Sequence, residues 1–346
     1  MRILYNLFVF ICLSGLLKAN GPLAIETKVI DKSFNVNSNA DLKIDNRYGN
    51  ITMTTWDKNM VEIHVEIKVD GNDQEAVRNR INGITVDFEA NASLVSAVTR
   101  IAQNKKNSKT NITIHYTVKL PKTNNIGIIN RYGNIFLDEL KGASNIDLQY
   151  GSMSLGKLYN SLNIWDLDYI SNSKIDYVKA ANIDADYSKL EITKSEILNL
   201  TVDYTDVKLG TVKDLVNTMD YGNLVVSSVE RVSNTADYTN VKIGILSNSF
   251  VSMGDYGGTS IEKVKKGFDK ISVVADYSSL NIGIEPAAGY TIKGDFKYAG
   301  MKYPSNVNMN KVIEKNTQSS YEGKAGDGSG RVEIQMEYGG AKIKLN

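Results

Sequence analysis

Leu200-Thr201-Val202-Asp203-Tyr204-Thr205-Asp206-Val207-Lys208-Leu209 carries the pattern that the rest of the chain repeats. Apolar side chains stand two and four places before the tyrosine, and three and five after it. Alternation with a period of two marks a strand, because successive side chains in extended backbone point to opposite faces. The step from Tyr204 to Val207 breaks the alternation, so Thr205 and Asp206 read as a corner. The unit is strand, tight corner, strand.

Working outward, the same tyrosine returns at Tyr132, Tyr150, Tyr169, Tyr187, Tyr221, Tyr238, Tyr256, Tyr277 and Tyr298, in steps of 17 to 21 residues. Ile183, Ala185, Tyr187, Leu190 and Ile192 obey the rule, as do Val273, Ala275, Tyr277, Leu280 and Ile282. Tyr48 and Tyr338 repeat its downstream half with Ile51 and Met53, and with Ala341 and Ile343. After Tyr169 the next apolar strand residue, Ile175, comes one place late, which predicts a bulge. Corner residues such as Gly133-Asn134, Gly222-Asn223 and Gly339-Gly340 tolerate left-handed backbone angles. By parity with the apolar positions, the tyrosines are expected to face inward as an internal ladder.

A fixed period near 20 is the sequence mark of coils stacked along one axis. The predicted fold is all-β: a single-chain β-solenoid, or β-helix, of about 17–21 residues per coil. About eleven coils at a strand spacing of about 4.8 Å give a rod on the order of 50 Å long. No proline occurs between Pro121 and Pro286, as suits a region where backbone N–H groups feed ladders.

The first residues read as an export signal, 1–20: Arg2, an apolar run from Ile3 to Leu17, then Lys18-Ala19-Asn20. Cys12 is the only cysteine, so a chain that loses the signal 1–20 is expected to have neither disulfide nor thiolate metal site. Of 40 basic residues, loss of Arg2 and Lys18 leaves 38 against 39 acidic. That balance gives no general pull toward nucleic acid or an anionic membrane. No later apolar run approaches the ~20 residues of a spanning helix. Residues 21–125 form an N-terminal strand and capping region with the first coil. Within it, Val61, Ile63, Val65 and Ile67 alternate as one strand, and Ile112, Ile114, Tyr116 and Val118 as another. Asp73–Ile81 is expected as a short capped helix, with Ser93–Ile101 as a possible second. Residues 126–346 are the solenoid proper, with a polar excursion at 305–330.

Arg47-Tyr48-Gly49-Asn50-Ile51-Thr52-Met53, Arg131-Tyr132-Gly133-Asn134-Ile135-Phe136-Leu137 and Trp56-Asp57-Lys58 before a Val-x-Ile strand resemble bacterial putative-adhesin domains of the β-solenoid type. The resemblance spans nearly the whole chain after the signal. It implies a right-handed solenoid, export in a Gram-negative envelope to the periplasm or outer surface, and no catalytic residues to carry over.

Asp168, Asp186, Asp203, Asp220, Asp237, Asp255 and Asp276 each precede a tyrosine. Stacking would line these carboxylates up about 5 Å apart, where like charges raise one another's pKa. The column is a candidate ligand-binding strip, including for Ca²⁺; the competing role is acceptance of backbone N–H groups at the turn that follows. The tyrosines themselves read as a structural ladder or as an aromatic strip for sugars. His64 and His115 fall on polar parity, and neither has triad or metal-ligand spacing. No catalytic residue, metal site or obligatory cofactor is read. The expected role is an exported, non-enzymatic adhesin-like or scaffold module that touches a cell-surface protein or glycan. The alternative is a polysaccharide-binding or polysaccharide-cleaving β-helix that uses the Asp and Tyr columns.

Overall fold

The computed structural model describes residues 23–103 and 109–346. The export signal expected over 1–20, and Cys12 with it, lie outside the described residues. The rest is strand, turn and one helix. No described helix is long and apolar enough to cross a membrane.

Two mostly parallel ladders run through the molecule, one built from the strands before each tyrosine and one from those after. In the first, Ser144–Gly151 pairs in parallel with Asn125–Arg131 on one side and with Asn163–Ile170 on the other. In the second, Met153–Leu158 lies between Ile135–Leu140 and Ser173–Asp186, again in parallel. The register advances by one tyrosine period at each step: Asp186 faces Asp203, and Asp203 faces Asp220. The 48-residue run Asp206–Met253 carries both ladders past Tyr221 and Tyr238 without a break. We call each strand–corner–strand unit a rung.

The core lies between the ladders, where the alternation puts it. Leu200, Val202, Val207 and Leu209 are all buried. Trp165, four places before Tyr169, is the largest fully buried side chain, and its Nε1 donates to Ser144 Oγ at 2.9 Å. The late rung after Tyr169 is present as expected. Ser173 faces Leu190 and Ile175 faces Ile192, so one extra residue is absorbed, with Asn172 at φ 51°.

Between the strands of the Tyr48 and Tyr132 rungs the chain makes a detour beyond the first rung. Ile51–Trp56 pairs with Ile135–Leu140 on its inner side and with Thr110–Pro121 on its outer side. Thr110–Pro121 then pairs antiparallel with Met60–Gly71, and that strand pairs antiparallel with Ala24–Asn35. The helix α1, Gln74–Asn82, is capped by Asp73, whose side chain accepts the Ala76 N–H at 3.0 Å. The second expected helix is a strand. Leu94–Ile101 pairs antiparallel with Ile84–Asn91, and the Asn91 side chain accepts the Ser93 N–H to close a two-residue turn. Its residues Val95, Val98, Thr99 and Ile101 are β-branched and pack better on a pleated surface than along a helix.

The polar excursion at 305–330 is also ordered strand. Asn308–Glu314 and Gln318–Ala325 pair antiparallel, and Gln318–Ala325 pairs antiparallel with Tyr290–Lys297. Gly330–Glu337 then inserts, in parallel, between Lys270–Asp276 and Tyr290–Lys297. The stacking order therefore departs from the chain order: the Tyr338 rung separates those of Tyr277 and Tyr298.

Candidate functional site

The feature that organises the surface is the tyrosine column, and it faces outward. All twelve tyrosines have positive φ, from 50° to 63°. They are 39–56% exposed. Counting parity predicts an inward ring only if every residue is extended. A left-handed residue reverses the alternation, so the tyrosine turns out and the residue after it turns in. This corrects both the inward orientation and the assignment of left-handed angles to the corner glycines.

The rings stack face to face in one row, in the order Tyr48, Tyr132, Tyr150, Tyr169, Tyr187, Tyr204, Tyr221, Tyr238, Tyr256, Tyr277, Tyr338, Tyr298. Centroids are 4.8–5.5 Å apart and planes are tilted by 2–14°. A left-handed bulky residue costs about 1–2 kcal/mol. Each aromatic contact contributes about 0.5–1.5 kcal/mol beyond burial. The two terms are of one size, so stacking offsets the strain that glycine would avoid.

The residue after the tyrosine is buried or half-buried, and except at Ile170 and Ala299 it is Ser, Thr or Gly. Where it is Ser or Thr, its hydroxyl joins the backbone. Thr205 Oγ1 lies 2.8 Å from the Asp203 carbonyl and 3.0 Å from that of Ala185, and it accepts the Ser188 N–H at 3.1 Å. Where it is Gly, neighbouring backbones close in. A Cβ on Gly133 would sit 1.9 Å from the Gly49 carbonyl oxygen. There the buried amide of Asn130 donates to that same carbonyl at 3.1 Å.

The residues before the tyrosines form a second column beside the rings. In stacking order it runs Arg47, Arg131, Gln149, seven aspartates, Glu337 and Lys297. The predicted aspartates, Asp186, Asp203, Asp220, Asp237, Asp255 and Asp276, with Asp168, are thus brought together. Four of them bond across rungs and not to their own corner: Asp168 accepts the Gln149 side-chain amide at 3.2 Å, and the other three accept backbone N–H groups. Asp237 accepts the N–H of Asp255 at 2.7 Å, Asp255 that of Asp276 at 2.8 Å, and Asp276 that of Glu337 at 3.1 Å. None of the seven forms an ion pair among the described residues, whereas Glu337 pairs with Lys297. Beyond the corner a third column carries amides: the Asn50 side chain accepts the Asn134 N–H, and Asn223 donates to Asp206 at 2.8 Å.

A second set of carboxylates was overlooked in the sequence. Asp147, Asp166 and Asp184 stand two residues before the first column and face the same way; Asp166-Leu167-Asp168-Tyr169 and Asp184-Ala185-Asp186-Tyr187 carry the signal. Desolvation first, then neighbouring carboxylates, hold Asp166, Asp168 and Asp184 above the ordinary carboxylate pKa. Tyr187, Tyr221 and Tyr277 are raised for the same first reason, with adjacent phenols next. No group of three or more metal-type ligands with suitable geometry occurs among the described residues. His64 lies 2.7 Å from Asp31, and His115 Nδ1 accepts the Asn50 N–H at 3.0 Å.

Stacking determines what the ridge can offer. Each inner ring has both faces covered by neighbours, so a ligand meets ring edges and hydroxyl groups, flanked by carboxylates on one side and amides on the other. Sugar rings cannot lie flat on the inner phenols, but they can hydrogen-bond along the row.

No protein-family model and no curated protein matches the chain. Among solved structures, a putative cell adhesion protein from Clostridium sporogenes matches at 10% identity, covering 93% of this chain and 100% of its own, with a TM-score of 0.20. A putative adhesin from Parabacteroides distasonis matches at 9% identity over 91% and 97%, with a TM-score of 0.35. A putative lipid binding protein from the same organism matches at 7% over 92% and 96%, with a TM-score of 0.32.

Proposed function

We propose that the chain is an exported cell-envelope protein that acts by surface contact without catalysis, and that the tyrosine ridge with its flanking carboxylates is the contact surface. The stacked rungs form one right-handed β-solenoid, 126–346, closed at its first end by the region 21–125. The partner is a cell-surface protein or glycan met in the periplasm or on the outer surface. No cofactor is required. One observation carries this role: twelve exposed phenols in an unbroken row beside a column of aspartates that form no ion pair among the described residues. A fold needs buried aromatics for its core, and these rings are outside it. The regular spacing of hydroxyls and carboxylates suits a repeating polymer, which favours a glycan chain among possible partners.

Glycan-array and whole-cell binding of the full chain test this. Replacing Tyr187, Tyr204 and Tyr221 together with Phe keeps the rings and removes their hydroxyls. Replacing Asp186, Asp203 and Asp220 with Asn removes charge only. Binding is expected to fall in both sets at near-unchanged melting temperature. Binding indifferent to both would exclude the ridge, and saccharide turnover lost on Asp203→Asn would show an enzyme.

A further inference from the structure

Of the twelve tyrosine rungs, that of Tyr338 alone lies between two rungs that both precede it in the chain. Its first strand is in register with Lys270–Asp276 on one side and Tyr290–Lys297 on the other. Its second strand, Gly340–Leu345, lies between Ser279–Ile284 and Gly300–Lys302. Both walls of this slot are complete before the segment that fills it. Until then each wall offers unpaired N–H and C=O groups along a strand edge, a template for any chain of matching pattern.

The tether to this rung is short and constrained. Gln318–Ala325 and Gly330–Glu337 flank Tyr290–Lys297 on opposite sides, so residues 326–329 step across its start. The crossing is close: Gly330 N–H donates to the Gly289 carbonyl at 3.0 Å, and a Cβ on Gly289 would sit 1.8 Å from Asp327 Oδ1. Gly326 and Gly328 take φ of 54° and 76° to make the step. Short connections under constraint favour the extended form that reaches a second molecule.

We propose that this slot is an exchange site between copies of the chain: residues 330–346 of one molecule seat in the slot of another, rebuilding the same ladders. The partner is a second copy because the slot already selects this sequence, with Val332, Ile334 and Met336 buried and Tyr338 stacked at 4.8 and 4.9 Å between two rings. This goes beyond the proposed contact role and does not depend on it.

Full-length chains with Cys12→Ser give the test. One copy carries Ser272→Cys and the other Glu333→Cys, outward residues that face each other in register. A disulfide between copies forms only where one molecule's strand lies beside the other's wall. Gly326→Ala with Gly328→Ala strains the closed crossing but not the extended one, and is expected to raise the cross-linked heterodimer roughly tenfold. Absence of heterodimer in both backgrounds, with both cysteines in one chain closing internally, overturns the proposal. Should that internal control stay open, Val274→Cys with Gln335→Cys is read the same way. Light scattering is independent of cross-linking: the alanine variant must show concentration-dependent dimer, and a monomer throughout refutes exchange.

Discussion

Between Tyr132 and Tyr277 the rings stack at every repeat of the chain and in chain order; at one end that spacing breaks, and at the other the order breaks as well. On one side Tyr48 and Tyr132, stacked at 5.5 Å, are 84 positions apart in the chain. On the other, Tyr338 stacks on Tyr277 from 61 positions away, with Tyr298 outside it. Both detours place antiparallel strands over an end rung. A ladder of parallel strands has no intrinsic stopping point, because each new edge is as sticky as the last. Repetition builds the middle, and departure from repetition finishes the ends.

The largest effect expected is in the middle. Trp165→Ala should cost about 3–5 kcal/mol in urea unfolding, as for other fully buried aromatics. Linear stacks open from their ends, so amide protons of Lys189–Asp203 should outlast those of Asn308–Glu314 in hydrogen exchange. One shared protection level would erase the distinction. Next is Gly133→Ala, at the seam where the first detour rejoins the ladder: about 2–4 kcal/mol, since backbone must move. Gly267→Ala, at φ 82° with open space around it, serves as the control and should cost only about 1–2 kcal/mol.

Ring deletion sharpens the contrast further. Tyr204 has two stacked neighbours and Tyr298 has one. Tyr204→Ala should cost about 1–3 kcal/mol and Tyr298→Ala about 0.5–1.5. Equal losses would mean that stacking does not hold the row. The smallest effect concerns charge. Asp166, Asp168 and Asp184 titrate above their unfolded values, so the fold favours their protonated forms. That contribution is present below the ordinary carboxylate range and lost as pH rises through the raised values. Asp168→Asn should raise the melting temperature slightly at pH 7 and leave it unchanged at pH 3; the reverse would contradict the crowding.

Much of this was legible from the chain. Leu200, Val202, Val207 and Leu209 are buried where period-two alternation places them, and Ile175 does carry its one-residue delay. The direction of Tyr204 was not legible, because parity presumes extended backbone and the tyrosine itself is left-handed. The neighbours of Tyr338 were not legible either: a repeat says that a segment is a rung, not which rungs flank it. Gln318–Ala325 looked like polar loop because its buried side is Tyr321, Gly323 and Ala325, too small a stripe to register. At the site, Asp before Tyr showed the first carboxylate column plainly, whereas Asp147, Asp166 and Asp184 gained meaning only once the ladder gave them neighbours.

The pairing of Asp203 with Asp220 has a genetic corollary. A tandem duplication of the codons for Tyr204–Asp220 would insert one complete rung in frame, leave every other contact in place and add one phenol to the row. Descendants of such a gene could therefore lengthen or shorten by whole rungs while both termini stay unaltered, and ridge length becomes a trait that ordinary recombination can tune.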